Sequence, residues 1–199
     1  IVLYSTTKYI GGHGTSIGGM LIDGGNFDWE AQGDRFPLLN SPDPSYHGAV
    51  WSEAAKALGP IAYILRARVI LLRDLGSAMS PFNAFQFIQG IESLPLRMER
   101  HCANAQKVAD YLKSHAKVDR VIHPSMHSGE LRRRADTYLQ GGYGGLVGFE
   151  LSGGHAAGKA FIDGLELFYH VANIGDARSL AIHPGSTTHS QLSAEDQAS

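Results

Sequence analysis

The chain has 199 residues, 43% hydrophobic and 18% charged, with 24 glycines and a formal net charge of -2. That length and mixture describe a globular protein able to bury a sizeable core, and they exclude a charge-driven disordered chain. The near-neutral balance leaves no basic footprint for nucleic acid or an anionic membrane, and no run approaches the roughly 18 apolar residues of a membrane span.

From the start, "IVLYS" reads as a short buried strand, and "GGMLIDGG" as a second one bounded by glycines. The glycine-rich "GGHGTSIGG" lies between them. "FDWEAQGDRFPLLNSPDPSYHG" is rich in Pro, Gly, Asp and Ser and reads as a long surface loop with several turns. Trp29 and Trp51 flank this loop, either as ordinary packing or as a partner-subunit contact. "AVWSEAAKALGPIAYILRARVILLRDLG" has helical stretches broken at Gly59-Pro60.

Ser80-Pro81 then suits an N-cap followed by proline at the first helical position. Met98, Cys102, Ala105, Ala109 and Leu112 recur at helical spacing, with Arg100, Lys107, Asp110 and Lys113 mostly off that stripe, as in an amphipathic helix. "GGLVGFELSGG" reads as a strand, "HAAGKAFIDGLELF" as a helix and "YHVANIG" as another strand. This alternation argues for an α/β or α+β layer. A soft domain boundary is expected near residues 90 to 100. Ile1 falls inside a strand-like run, and Ser193 with Glu195 and Asp196 reads as a helix being started, so both ends are expected to be cut.

The chemistry concentrates at "YSTTKYIGGHG". If residues 4 to 7 are extended, Ser5 and Thr7 share one face and can donate two charge-assisted hydrogen bonds to an anion beside Lys8. A Walker loop needs glycines before the lysine and a helix after it, so that reading fails on the order of parts. A lysine flanked by anion-binding hydroxyls matches pyridoxal phosphate chemistry, against the alternative of an exposed lysine after a strand. His13 reads either as a base or as a residue ordering the glycine turn. His183 and His189 lack a carboxylate or cysteine to complete a metal site, so no metal is expected. Cys102, the one cysteine, excludes an internal disulfide, reads as a packing residue and fits a reducing cytoplasm.

Ser5, Thr7, Lys8, Tyr9, Gly12 and His13 together resemble the lysine signature of the Cys/Met-metabolism family of pyridoxal-phosphate enzymes, with Tyr4 where that pattern usually has histidine. "RFPLLNSPDPSYHG", "RARVILLRDLGSAMSPFNAFQFIQGIESLPLRMERH" and "HVANIGDARSLAIHPGSTTHSQLS" extend the resemblance over the whole chain, toward the O-acetylhomoserine sulfhydrylase branch. The resemblance implies an α/β chain with part of the pyridoxal-phosphate-dependent transferase fold type I. Residues 1–95 would be the C-terminal part of the large cofactor domain, and 96–199 an incomplete small domain. It implies Lys8 as the Schiff-base lysine and catalytic base, Ser5 and Thr7 as phosphate contacts, and Asn173 and Thr188 near the substrate carboxylate. The aspartate that pairs the cofactor ring would precede Ile1, and the carboxylate-gripping arginine would follow Ser199. Arg178 offers itself as a substitute for that arginine.

The implied reaction is γ-replacement, O-acetylhomoserine and sulfide giving homocysteine and acetate, in a cytoplasmic homotetramer with shared active sites. Cystathionine γ-synthase or γ-lyase activity is the alternative within the family. An inert fragment or assembly module is the alternative outside it.

Overall fold

The computed structural model describes residues 1–193, 195 and 196. Its contacts divide the chain into two units, Ile1–Thr6 with Ile17–Phe85, and Thr7–Ser16 with Gln86–Ser199.

The first unit opens with β1 (Val2–Ser5) paired antiparallel to β2 (Gly19–Ile22), Leu3 opposite Leu21 and Ser5 opposite Gly19. Both strands fall where the apolar runs place them. They are not buried, however: Leu3 is 78% exposed, since a ribbon of two strands buries little apolar surface by itself.

The long segment expected to be a turn-rich surface loop is mostly exposed, and it also contributes Trp29 and Leu39 to the core of this unit. It carries a 3-10 turn (Gly33–Arg35), α1 (Pro37–Asn40) and a second 3-10 turn (Pro44–Tyr46). α2 (Trp51–Ala55) and α3 (Ala62–Arg66) follow, and α3 runs on as a π-helical coil over Ala67–Asp74. Trp29, Leu39, Trp51, Ala55 and Ala62 are buried together. Trp29 stacks on Tyr63 at 5.7 Å and donates its indole N–H to the Pro60 carbonyl at 3.1 Å. Trp51 donates to Asp43 Oδ2 at 2.9 Å, and the other oxygen of Asp43 accepts from the Ser45 N–H, so the "PDPSYHG" turn is tied to the core. Both tryptophans are packing residues, one inside the turn-rich segment and one just after it.

α4 (Pro81–Glu92) begins as expected, with Ser80 Oγ accepting from the Asn83 N–H. The helical path is interrupted at Ser93 and resumes as α5 (Leu94–Lys113), where Pro95 lacks an N–H and crowds the preceding turn. The apolar stripe of α5 is the one the spacing gives: Ala105 and Ala109 are buried, and Met98, Cys102 and Leu112 half-buried.

The second unit continues with β3 (Val118–Ile122), α6 (Gly129–Tyr138), β4 (Gly148–Leu151) and α7 (Gly154–Asp163). β3 pairs antiparallel with β4, and Phe149 of β4 meets Phe161 of α7 edge-on at 5.3 Å. α6 escapes a periodicity search because only Ala135 of it is buried. Its helical signal is instead charge at i,i+3 and i,i+4, with Arg133 and Arg134 on Glu130 and Arg132 on Asp136. β5 (Tyr169–His170) and β6 (Leu180–Ala181) form a short parallel pair. The strand expected over "YHVANIG" stops at His170, since the chain turns through Asn173 to Gly175, whose φ is +75°. At the chain's end Ser193 Oγ accepts from the Asp196 N–H at 3.1 Å, as in a helix start. Residue 194 and residues 197–199 of that expected helix lie outside the described residues.

No helix among the described residues is long and apolar enough to cross a membrane.

Candidate active site around Lys8

β1 ends at Ser5, and residues 6 to 11 form a turn closed by the Gly12 N–H donating to the Lys8 carbonyl at 2.8 Å. Strand alternation therefore does not extend to Thr7. Ser5 is exposed on β1, Thr6 is buried with no partner for its Oγ1, and Thr7 is half-buried in the turn. Turn geometry, not a shared strand face, sets the directions of these hydroxyls.

Lys8 is half-buried, and its Nζ donates to Asn173 Oδ1 at 2.7 Å across 165 positions of sequence. An ammonium only donates, so the amide must present its oxygen here. Among the described residues Lys8 forms no ion pair. Thr188, the other expected substrate contact, is exposed in the turn after the 3-10 segment Pro184–Ser186. No hydrogen bond joins it to Lys8 or Asn173.

The loop after Lys8 is held from two sides. The Ala177 N–H donates to the Gly12 carbonyl at 2.7 Å. Gly14, at φ +66°, leaves room for the amide of Asn173, where a Cβ would stand 3.2 Å from Nδ2. On the other side, α4 and α5 meet the loop through Gly90 and Arg97, neither of which the sequence reading singled out. A Cβ on Gly90 would fall inside contact distance of the Ile10 carbonyl oxygen and 3.1 Å from that of Gly11. The available signal is spacing: Gly90, Ser93, Arg97 and His101 recur every three or four residues, a second face beside the apolar stripe.

His101 meets the Tyr9 ring edge-on at 5.6 Å, and burial, with help from the Arg97 charge, holds its imidazole below the usual histidine range. Arg178 is committed elsewhere, donating from Nε (3.0 Å) and Nη2 (2.8 Å) to the buried Asp176. That guanidinium keeps the Asp176 carboxyl below the usual carboxylate range, although burial pulls the other way. His13 is exposed, with Nδ1 3.0 Å from the Gly11 carbonyl oxygen, so it braces its own turn. His183 pairs with Ser186 and lies 4.8 Å from the His155 ring. Among the described residues no group of three or more His, Cys, Asp or Glu could hold a metal ion. Cys102 packs against Gly142, where a Cβ would stand 2.8 Å from its sulfur.

The donor set fits an aldehyde cofactor carrying a phosphate. The Lys8 amine has a neutral, displaceable amide partner rather than a carboxylate, and glycines at positive φ let the backbone approach closely. A model of the Cys/Met metabolism PLP-dependent enzyme family matches residues 1–199. The chain belongs to this family. The O-acetyl-L-homoserine sulfhydrylase of Leptospira meyeri is 53% identical over 205 residues, which are 100% of this chain and 46% of that protein. The homocysteine synthase of Schizosaccharomyces pombe is 45% identical, with 100% and 46% covered. A Campylobacter jejuni structure described as an O-acetylhomoserine (thiol)-lyase aligns at a TM-score of 0.84 and 38% identity, over 98% of this chain and 46% of its own; it carries an N'-pyridoxyl-lysine-5'-monophosphate. Cystathionine gamma synthase from Xanthomonas oryzae aligns at 0.67 and 32%, over 99% and 41%. The chain thus spans about half the length of these family members, and its α/β units are part of the pyridoxal-phosphate fold type I.

Proposed function

We propose that this chain is part of a pyridoxal-phosphate-dependent O-acetylhomoserine sulfhydrylase, which converts O-acetylhomoserine and sulfide to homocysteine and acetate. Residues 1–95 would close the large cofactor domain and 96–199 begin the small one. The observation that carries the reading is Lys8 Nζ, presented from a braced loop to the neutral amide of Asn173. Identity of 45% and 53% to relatives named for this activity supports the choice within the family, as does the folded "PDPSYHG" turn anchored by Trp51.

Bound pyridoxal phosphate supplies an electrophilic carbonyl and an electron sink. Lys8 would hold the cofactor through Nζ and, once released by the substrate amine, accept the proton from the substrate Cα at the same atom. Asn173 would keep that amine aimed while it waits, and would turn its amide toward the substrate carboxylate when the amine moves. Ser5 and Thr7 would donate their hydroxyls to the phosphate, and Thr188 would reach the substrate. The working form would be a cytoplasmic homotetramer with sites shared between subunits.

The test is borohydride reduction of the full-length protein followed by peptide mapping. A pyridoxyl group on Lys8 is expected, and a label on any other lysine refutes the assignment. Product analysis with sulfide against cysteine as nucleophile separates this activity from cystathionine synthesis.

A further inference from the structure

Arg97 makes four hydrogen bonds, and every acceptor is neutral. Nη1 donates to the Tyr9 carbonyl at 2.7 Å, and Nη2 to the carbonyls of Ile10 (3.2 Å) and Gly90 (2.7 Å). Nε donates to Ser93 Oγ at 3.1 Å. Among the described residues Arg97 forms no ion pair. The guanidinium also fills the hollow left by Gly12, where a Cβ would stand 2.7 Å from Cζ, and Gly12 itself sits at φ +75°.

We propose that Arg97 is the positioning residue for Lys8, a clamp that sets the direction of the chain immediately after the reactive lysine. Two of the three peptide carbonyls it grips belong to the two residues that follow Lys8. With both planes held, and the Gly12 N–H closing back on the Lys8 carbonyl, the Lys8 backbone has little freedom left, and the amine meets Asn173. A planar fork with five donors suits diverging carbonyls, whereas a lysine ammonium at the same place is a point charge that reaches fewer of them. Charge-assisted bonds to backbone carbonyls are stronger than neutral ones, and here the charge is spent on three of them and on the Ser93 hydroxyl.

The proposal rests on Lys8 being the cofactor lysine, so its test is built with a part that does not depend on that. In the cofactor-free, full-length protein, hydrogen exchange is compared between wild type, Arg97→Gln and Arg97→Lys. Loss of charge-assisted bonds predicts exchange at residues 9–14 faster by about tenfold to a hundredfold in Arg97→Gln and by less in Arg97→Lys, with residues 118–151 unchanged. In the cofactor-loaded protein both variants still take the pyridoxyl label at Lys8, but their visible band moves from the wild-type position, more for Gln than for Lys. Unchanged exchange at residues 9–14 overturns the clamp, as does a uniform rise across the protein with a lower melting temperature. Should Arg97→Gln fail to fold, Arg97→Lys alone carries the comparison. A wild-type label on another lysine would refute the functional reading of Lys8, while the exchange result would still decide the clamp.

Discussion

Substituting Gly90 by alanine sets two physical effects against each other. Gly90 lies inside α4, and helix propensity alone makes Gly→Ala stabilising by about 0.8–1 kcal/mol. The added methyl, however, has no space. It would fall inside contact distance of the Ile10 carbonyl oxygen and only 3.1 Å from the Gly11 oxygen and the Ile10 carbonyl carbon. All three are backbone atoms and cannot rotate aside as a side-chain tip can, so the loop must retreat as a body. Overpacking of this kind costs about 1–3 kcal/mol. The retreat also stretches the Arg97 bonds to Tyr9 and Ile10, where a charge-assisted bond contributes about 1.5–3 kcal/mol. Contact should therefore win, leaving Gly90→Ala net destabilised by about 1–3 kcal/mol. Denaturant unfolding of the full-length protein measures the stability, and borohydride trapping measures whether Lys8 still meets the cofactor. A stabilised Gly90→Ala protein with normal trapping would refute the close approach of α4 to the lysine loop.

Asn173→Ala should leave stability within about 1 kcal/mol of wild type while lowering turnover at least about tenfold, because the Lys8 amine loses its aiming partner; thermal melts with steady-state kinetics check this. Asp176→Asn should cost about 1–3 kcal/mol at neutral pH, since Asp176 is buried and accepts from the Arg178 side chain and N–H. The folded carboxyl is held below its ordinary value, so its contribution is complete above about pH 3.9 and is lost only as pH falls through the lowered value. The gap between wild type and Asp176→Asn should close in that acid range, as denaturant midpoints across pH will tell. His101, His123 and His183 are all pushed below the usual histidine range, chiefly by burial. Their folded forms resist protonation, so stability present above about pH 6.5 should fall as pH drops below it. Midpoints at about pH 7.5 and about pH 5.5 measure that slope, and His123→Gln, which replaces a fully buried ring, should flatten part of it.

Features that depend on neighbours in sequence could be read without a fold. The β1 and β2 runs, the Ser80-Pro81 cap and the Ala105–Ala109 stripe are set by local sterics, capping and side-chain periodicity, which act over a few residues. The lysine signature is legible for the same reason, since Ser5, Thr7, Lys8, Gly12 and His13 lie within nine consecutive positions. α6 was lost because its order comes from ion pairs rather than from an apolar face. The long Pro- and Gly-rich segment reads correctly as turns at the surface, but that its Trp29 and Leu39 share a core with Trp51 is a collective effect of elements that meet only after folding. Tertiary structure alone decided that Asn173 receives the Lys8 amine from 165 positions away, that Arg178 is spent on Asp176, and that Arg97 and Gly90 brace the lysine loop. Hydrogen bonds and steric contact act over a few ångströms, so a composition or a spacing can nominate such partners, but only the folded chain brings them within reach.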